Sequence, residues 1–194
     1  MSVSAFSSDF LQDSGINGLT NLDEYTPNLK ITPGQSTRAT SFKIRGIGSV
    51  GSNSGIDPSV GIFLDGVYQG RAGMSISDLV DVQRIEVLRG PQGTLFGKNT
   101  ETGAISLNTK KPTEDFEAEV GAEYGRYEMG KFTGYVNGAI TDTLFASASG
   151  SYQQGDGYYD NIFLNKDVGD WDTTAGRAQL RWLPSDMFDI RLSG

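Results

Sequence analysis

The chain has 194 residues, 37% of them hydrophobic, with 26 glycines and a formal charge of −8 from 24 acidic and 16 basic side chains. That balance argues against phosphate-backbone binding, which needs clustered Lys and Arg, and the absence of Cys and His removes disulfides, thiolate nucleophiles, the commonest general base and the commonest transition-metal ligand. No apolar run approaches the roughly 18–20 residues of a membrane-spanning helix, yet a mean hydropathy of −0.33 is what alternating transmembrane strands produce.

In chain order, residues 1–34 carry two short helix signals. Ser7 or Ser8 can cap a turn through Phe10 and Leu11 that ends by Gly15, and Gly18–Tyr25 spaces Leu19 and Leu22 by three before Thr26-Pro27 stops it. Residues 41–45, SFKIR, alternate as a strand. Ser59–Asp65 is a second strand that closes in the tight-turn pair Asp65-Gly66, and Ser75–Val80 reads as a short helix. The stretch Val82–Pro112 then runs strand, glycine-rich turn, strand and basic stop, a hairpin with a long tip. The portion before Pro112 is small, globular α+β.

Beyond Lys110-Lys111-Pro112 the pattern becomes long, even alternation. Phe116, Ala118, Val120, Ala122 and Tyr124 share one face, with Glu117, Glu119, Gly121 and Glu123 on the other. Phe132–Ile140 and Leu144–Tyr152 repeat it. Thr174–Trp182 is a fourth strand after a polar excursion over Gln153–Asp172, and a fifth begins at Phe188. One face of each strand suits lipid and the other water, and Tyr124, Tyr127, Tyr152, Trp171 and Trp182 near strand ends suit aromatic girdles. A soluble antiparallel sandwich is the competing reading of this half taken by itself. Five strands do not close a transmembrane barrel, which needs at least about eight.

Three motif matches dissolve on physical grounds. Gly46-Ile47-Gly48-Ser49-Val50-Gly51 satisfies G-x-G-x-x-G, but SNSGIDPSVG follows where a dinucleotide site needs a helix N-terminus. Gly97-Lys98 lacks the earlier P-loop glycine, replaced by Gln92, and the following Ser or Thr, replaced by Asn99. Asp156-Gly157-Tyr158-Tyr159-Asp160-Asn161 lacks the alternating oxygen ligands and closing Glu of a calcium loop.

The stretch IEVLRGPQGTLFGKNTETGAISLNTKKP (85–112) resembles the end of the plug domain in TonB-dependent outer-membrane receptors, whose pattern is approximately E-V-L-R-G-P-x-x-x-L-[YF]-G-[RK]-N-x-x-G-G-x-I-x-I-x-[ST]-K-x-P. S-V-G-I-F-L-D-G-V-Y (59–68) and the D-G-Y-x-x-N loop are similar to the same family. Thr102 departs from it where the first of two glycines is usual, and Gly103 keeps the second. The resemblance implies an α+β plug domain over 1–111, lacking its extreme N-terminus, followed over 112–194 by the first antiparallel strands of an incomplete transmembrane β-barrel, twenty-two-stranded in the family. With no basic and apolar export signal at Met1–Phe6 and an abrupt end at Gly194, the chain is expected to be a piece of a longer protein.

By the same resemblance the whole protein imports a scarce, bulky nutrient across the outer membrane of a Gram-negative bacterium, a ferric siderophore first, with cobalamin, haem or glycans as alternatives. The TonB, ExbB and ExbD complex would drive it, although no contact segment is identifiable upstream of Val3. No catalytic residue, resident metal or cofactor is expected, and a soluble β-rich binding or adhesion module is the alternative of another class. Arg45 and Arg89, each before a glycine, would be plug arginines that pair with glutamates of later barrel strands. Outward loops would bring Arg38, Ser49, Ser52, Tyr68, Gln69, Arg71 and Met74 to the ligand, with Arg38 and Arg71 for its anionic groups and Tyr68, Gln69 and Met74 for neutral contacts.

Overall fold

The computed structural model describes residues 2–16, 18–34, 40–48, 57–70, 80–156, 159–161, 166–185 and 187–194. The expected helix Ser75–Val80 lies outside them except for Val80. The chain divides into two compact units, Met1–Lys110 and Lys111–Gly194.

Unit 1 begins with strand β1 (Ser2–Ser7), followed by helix α1 (Ser8–Asp13) and a 3-10 helix over Leu19–Glu24. Ser7 caps α1 by accepting the Phe10 amide at 3.4 Å, as the sequence leads one to expect. Strands β2 (Leu29–Thr32) and β3 (Ser41–Ile44) form a separate antiparallel pair. Next come β4 (Val60–Leu64), β5 (Val67–Tyr68), β6 (Val82–Arg89), the four-residue helix α2 (Gly93–Phe96) and β7 (Gly103–Thr109). The main sheet has the order β1-β6-β7-β4-β5, with β4 and β7 parallel and the other neighbours antiparallel.

Central position explains the composition of β7. Its Ile105 and Leu107 are fully buried with Ile85, Val87, Leu19, Leu22 and Ile44, while Ala104 lies in a second cluster with Phe63 and Leu88. Each such aliphatic side chain contributes about 1.5–3 kcal/mol by leaving water. Asp65 and Gly66, at φ +49° and +82°, make the tight β4–β5 turn that their residue types favour. The same Asp65 accepts Thr109 N and Oγ1 at 2.9 and 2.8 Å, which fixes the exit of β7.

Unit 2 is built on β8 (Glu117–Tyr124), β9 (Gly130–Thr141), β10 (Leu144–Gly155), β13 (Trp171–Ser185) and β14 (Phe188–Ser193), with a small hairpin of β11 (Tyr159–Asn161) and β12 (Lys166–Val168) between β10 and β13. The sheet is a meander of order β14-β13-β10-β9-β8, open at both edges. Strands β10 and β13 outrun the expected Leu144–Tyr152 and Thr174–Trp182, because pairing continues to Gly155↔Trp171.

The register aligns one apolar face across the unit. Val120 lies opposite Gly134, Val136 opposite Ala148, and Leu180 opposite Ala146 on one side and Leu192 on the other. Tyr124, Phe132 and Tyr152 bound this face at one end and Phe116, Trp182 and Phe188 at the other, all exposed. Two expectations need correction. Trp171 has the opposite parity to Trp182, so it belongs to the polar face, where it closes over Gly155. The polar face is also not simply wet: Tyr135, Asn137, Phe145, Ser147, Ser151 and Gln179 on it are buried.

Candidate functional site

The site is organised by the two arginine-glycine pairs of unit 1. Arg45 and Gly46, at φ +55° and +79°, form a two-residue turn in which Ile44 and Ile47 exchange amide-to-carbonyl hydrogen bonds of 2.9 and 3.1 Å. The Arg45 amide donates to Asn28 O at 2.8 Å, so its backbone is held while its side chain is exposed. Gly46 suits this backbone because a left-handed φ costs it nothing.

Arg89 ends β6. Its Nη1 donates to Pro27 O at 3.1 Å and its Nη2 to Ser4 Oγ at 2.9 Å, which ties β1 and the turn before β2 to the central sheet. Its Nε is buried without a partner among the described residues. Arg45 and Arg89 converge with Ser2, Gly90, Pro91 and Gln92 on one cleft of about 500 Å³. Two arginines among its lining residues make the cleft complementary to a carboxylate or another planar anion.

The β6–β7 tip forming one wall is internally braced. Gly90 N donates to Thr102 O at 2.9 Å, Gln92 N to Thr100 O at 3.0 Å, and Thr100 Oγ1 to Gly97 O at 2.7 Å. Asn99 and Gly97 take the left-handed conformations, at φ +65° and +81°, that let the chain reverse after α2. Thr102 has no such φ, and both its amide and hydroxyl donate to Ser59 O, at 3.1 and 2.9 Å. Its departure from the family pattern therefore adds a hydrogen bond rather than strain. Gly103 is constrained differently: a Cβ there would run into Leu88 O and Ile44 Cδ1.

Among the sequence-derived ligand contacts, Tyr68 and Gln69 are described. Tyr68 rests against Phe63, 5.6 Å between ring centroids, and its hydroxyl accepts Asn99 Nδ2 at 2.9 Å. Gln69 donates its amide to Ile62 O at 2.8 Å and its Nε2 to Val67 O at 3.1 Å. Both thus belong to the β4–β5 turn region and neither lines the arginine cleft. Arg38, Ser49, Ser52, Arg71 and Met74 lie outside the described residues, as does Gly51 of the G-x-G-x-x-G match. Among the described residues no group of three or more carboxylates is gathered to hold a metal ion. Sequence reading passed over Ser4 and Pro27 as partners of Arg89. Neither was signalled, because SVSAFS does not alternate apolar with polar residues and only Phe6 of β1 is buried.

A family model described as the TonB-dependent receptor plug domain matches residues 1–104. The pesticin receptor of Yersinia pestis is 31% identical over 190 residues, 96% of this chain and 28% of that protein. The catecholate siderophore receptor Fiu of Escherichia coli K12 is 27% identical over 145 residues, 73% of this chain and 18% of that protein. Among solved structures, the ferric yersiniabactin uptake receptor FyuA from Yersinia pestis superposes with a TM-score of 0.86 at 29% identity, covering 95% of this chain and 29% of that one. The pyoverdine receptor FpvA of Pseudomonas aeruginosa PAO1 shares the fold, with a TM-score of 0.78 at 20% identity over 99% of this chain and 26% of that one. The chain thus spans less than a third of the length of these proteins.

Proposed function

This chain belongs to the TonB-dependent receptors, and on that premise we propose that it supplies the plug and the first barrel strands of an outer-membrane importer of a ferric siderophore. The observation that carries the reading is a plug-family unit followed in sequence by a sheet whose apolar face is exposed between two aromatic borders. A face of that kind in water would expose a contiguous apolar patch larger than soluble proteins ordinarily tolerate. Against lipid it has its solvent, which counts against the soluble-module alternative and supports an outer-membrane location. Iron as cargo is supported by relatives whose names specify catecholate siderophores and ferric yersiniabactin.

In this reading 1–111 is the plug and 112–194 begins the barrel. Arg45 and Arg89 offer their cleft to barrel carboxylates, so a lock built from charge-assisted hydrogen bonds holds the plug at rest. Arg38, Ser49, Ser52, Tyr68, Gln69, Arg71 and Met74 contribute to ligand capture. Tyr68 and Gln69 do so from a braced turn, with no acceptor for the Tyr68 hydroxyl proton among the described residues. The TonB-ExbB-ExbD complex supplies the pull that rearranges the plug, and no covalent chemistry is required.

Binding tests this reading. The purified receptor, titrated with iron-loaded and iron-free catecholate, phenolate and hydroxamate chelators while tryptophan fluorescence is followed, is expected to bind at least one ferric form at least tenfold more tightly than its iron-free form. Equal or absent binding across the panel contradicts ferric siderophore as the ligand.

A further inference from the structure

The segment Lys111–Phe116 joins the end of unit 1 to β8, and side chains of the sheet hold most of it. Asn137 of β9, 2% exposed, accepts the Thr113 amide at 3.0 Å through Oδ1 and donates from Nδ2 to Thr113 Oγ1 and Asp115 O, both at 2.8 Å. One amide side chain thereby uses its acceptor and both donors on a single stretch of backbone. Arg181 of β13 donates Nη1 to Pro112 O at 3.3 Å while its Nε and Nη2 fork onto Asp189 of β14 at 3.1 and 3.0 Å. The fork fixes the guanidinium plane, so the contact with Pro112 O is made by a preset donor. Pro112 itself is fully buried.

On the other side of the boundary, the Lys110 amide donates to Asp81 O at 2.7 Å within unit 1. Between these grips lies Lys111, exposed and without a hydrogen bond among the described residues. The alternation that reveals β8 in the sequence carries no trace of this arrangement, because Asn137 and Arg181 read as ordinary polar-face residues.

We propose that Lys111 is a pivot between these two grips, with Asn137 and Arg181 forming a clamp that keeps Pro112–Phe116 seated on the sheet while unit 1 rearranges. The role of the clamp rests on the importer reading, in which a plug moves and must return to its starting register. A tail pinned at its last residues limits how far disorder spreads, since β8 cannot begin to fray until the clamp opens.

Hydrogen exchange on the intact receptor in detergent micelles, resolved to short peptides by mass spectrometry, tests the proposal. In the wild type, amide 113 is expected to exchange at least about tenfold more slowly than amide 111. Asn137→Ala is expected to speed exchange at 113 by about tenfold or more and leave β6 unchanged. Asn137→Asp, which keeps the acceptor for Thr113 N, is expected to retain more protection at 113 than Asn137→Ala. If Asn137→Ala does not fold, Arg181→Gln gives the same readout through Pro112–Phe116. Amide 113 exchanging as fast as amide 111 in the wild type, or as slowly in Asn137→Ala as in the wild type, overturns the pivot. A receptor that moves no ferric chelate would sink the importer reading and leave this exchange pattern to be judged by itself.

Discussion

A Gly103→Ala chain is expected to lose about 3 kcal/mol of the stability of unit 1, at the upper end of what overpacking costs. The added methyl would meet Leu88 O and Ile44 Cδ1, and the first of these is backbone that cannot rotate away. Gly103 also pairs with Arg89 on one side and Val60 on the other, so any shift propagates into both neighbours of the central strand. For a unit of this size each kcal/mol is worth roughly 4–8 °C, which predicts a fall in Tm of about 12–24 °C by calorimetry. Gly93→Ala is the control, because a Cβ there meets nothing within 4 Å and starts α2 with a better helix former. Equal melting of the two variants would show that close packing at Gly103 does not govern this fold.

Arg89→Ala is expected to release β1 and to open the plug. The variant loses the hydrogen bonds to Pro27 O and Ser4 Oγ, which as charge-assisted contacts contribute about 2–3 kcal/mol together. Strand β1 has little else to hold it beyond its ladder with β6, since Phe6 is its one buried side chain among those described. Local opening should become roughly 30-fold more frequent or greater, read as faster amide exchange across Ser2–Ser7. Arg89→Lys retains charge and loses the fork, so an intermediate rate is expected. Arg45→Ala should leave β1 unchanged, because Arg45 is tied to Asn28 through its backbone amide. In the intact receptor, Arg89→Ala should also raise passive permeability to large antibiotics. Unchanged permeability would remove the lock role even if β1 exchanges faster.

Much of this architecture is legible in the residues, and the illegible parts have physical causes. Long alternation made β8, β9, β10 and β13 readable as strands, because period two over eight or more residues does not fit a helix, and the six-residue β14 showed only its start at Phe188. Asp65-Gly66 and the Ser7 cap were readable because each residue type performs one local task. Strand β1 was not, since SVSAFS has a single large buried side chain and exists only against β6. Helix α2 was hidden for a similar reason. Four residues have no period, and the turn arises from closure of the tip between Gln92 and Thr100. The burial of Tyr135, Phe145 and Asn137 on the polar face could not be read from alternation, which assigns parity but not what lies opposite.

At the candidate site, the arginine-glycine pairs were visible as motifs, but their convergence on one cleft depends on the Asn28–Arg45 and Pro27–Arg89 contacts, which link residues far apart in sequence. Thr102 is the instructive case. Its place in a glycine pattern names no partner for it, whereas its hydroxyl on Ser59 O ties the tip to the residue before β4.

Import of a ferric siderophore, proposed for the whole receptor, is tested most directly by the accumulation of radiolabelled iron in cells carrying or lacking the intact gene. Supplied as a panel of ferric chelates, the label is expected to enter gene-dependently from at least one of them, and to stop when the proton-motive force is collapsed. Equal accumulation from every chelate with and without the gene would contradict the account.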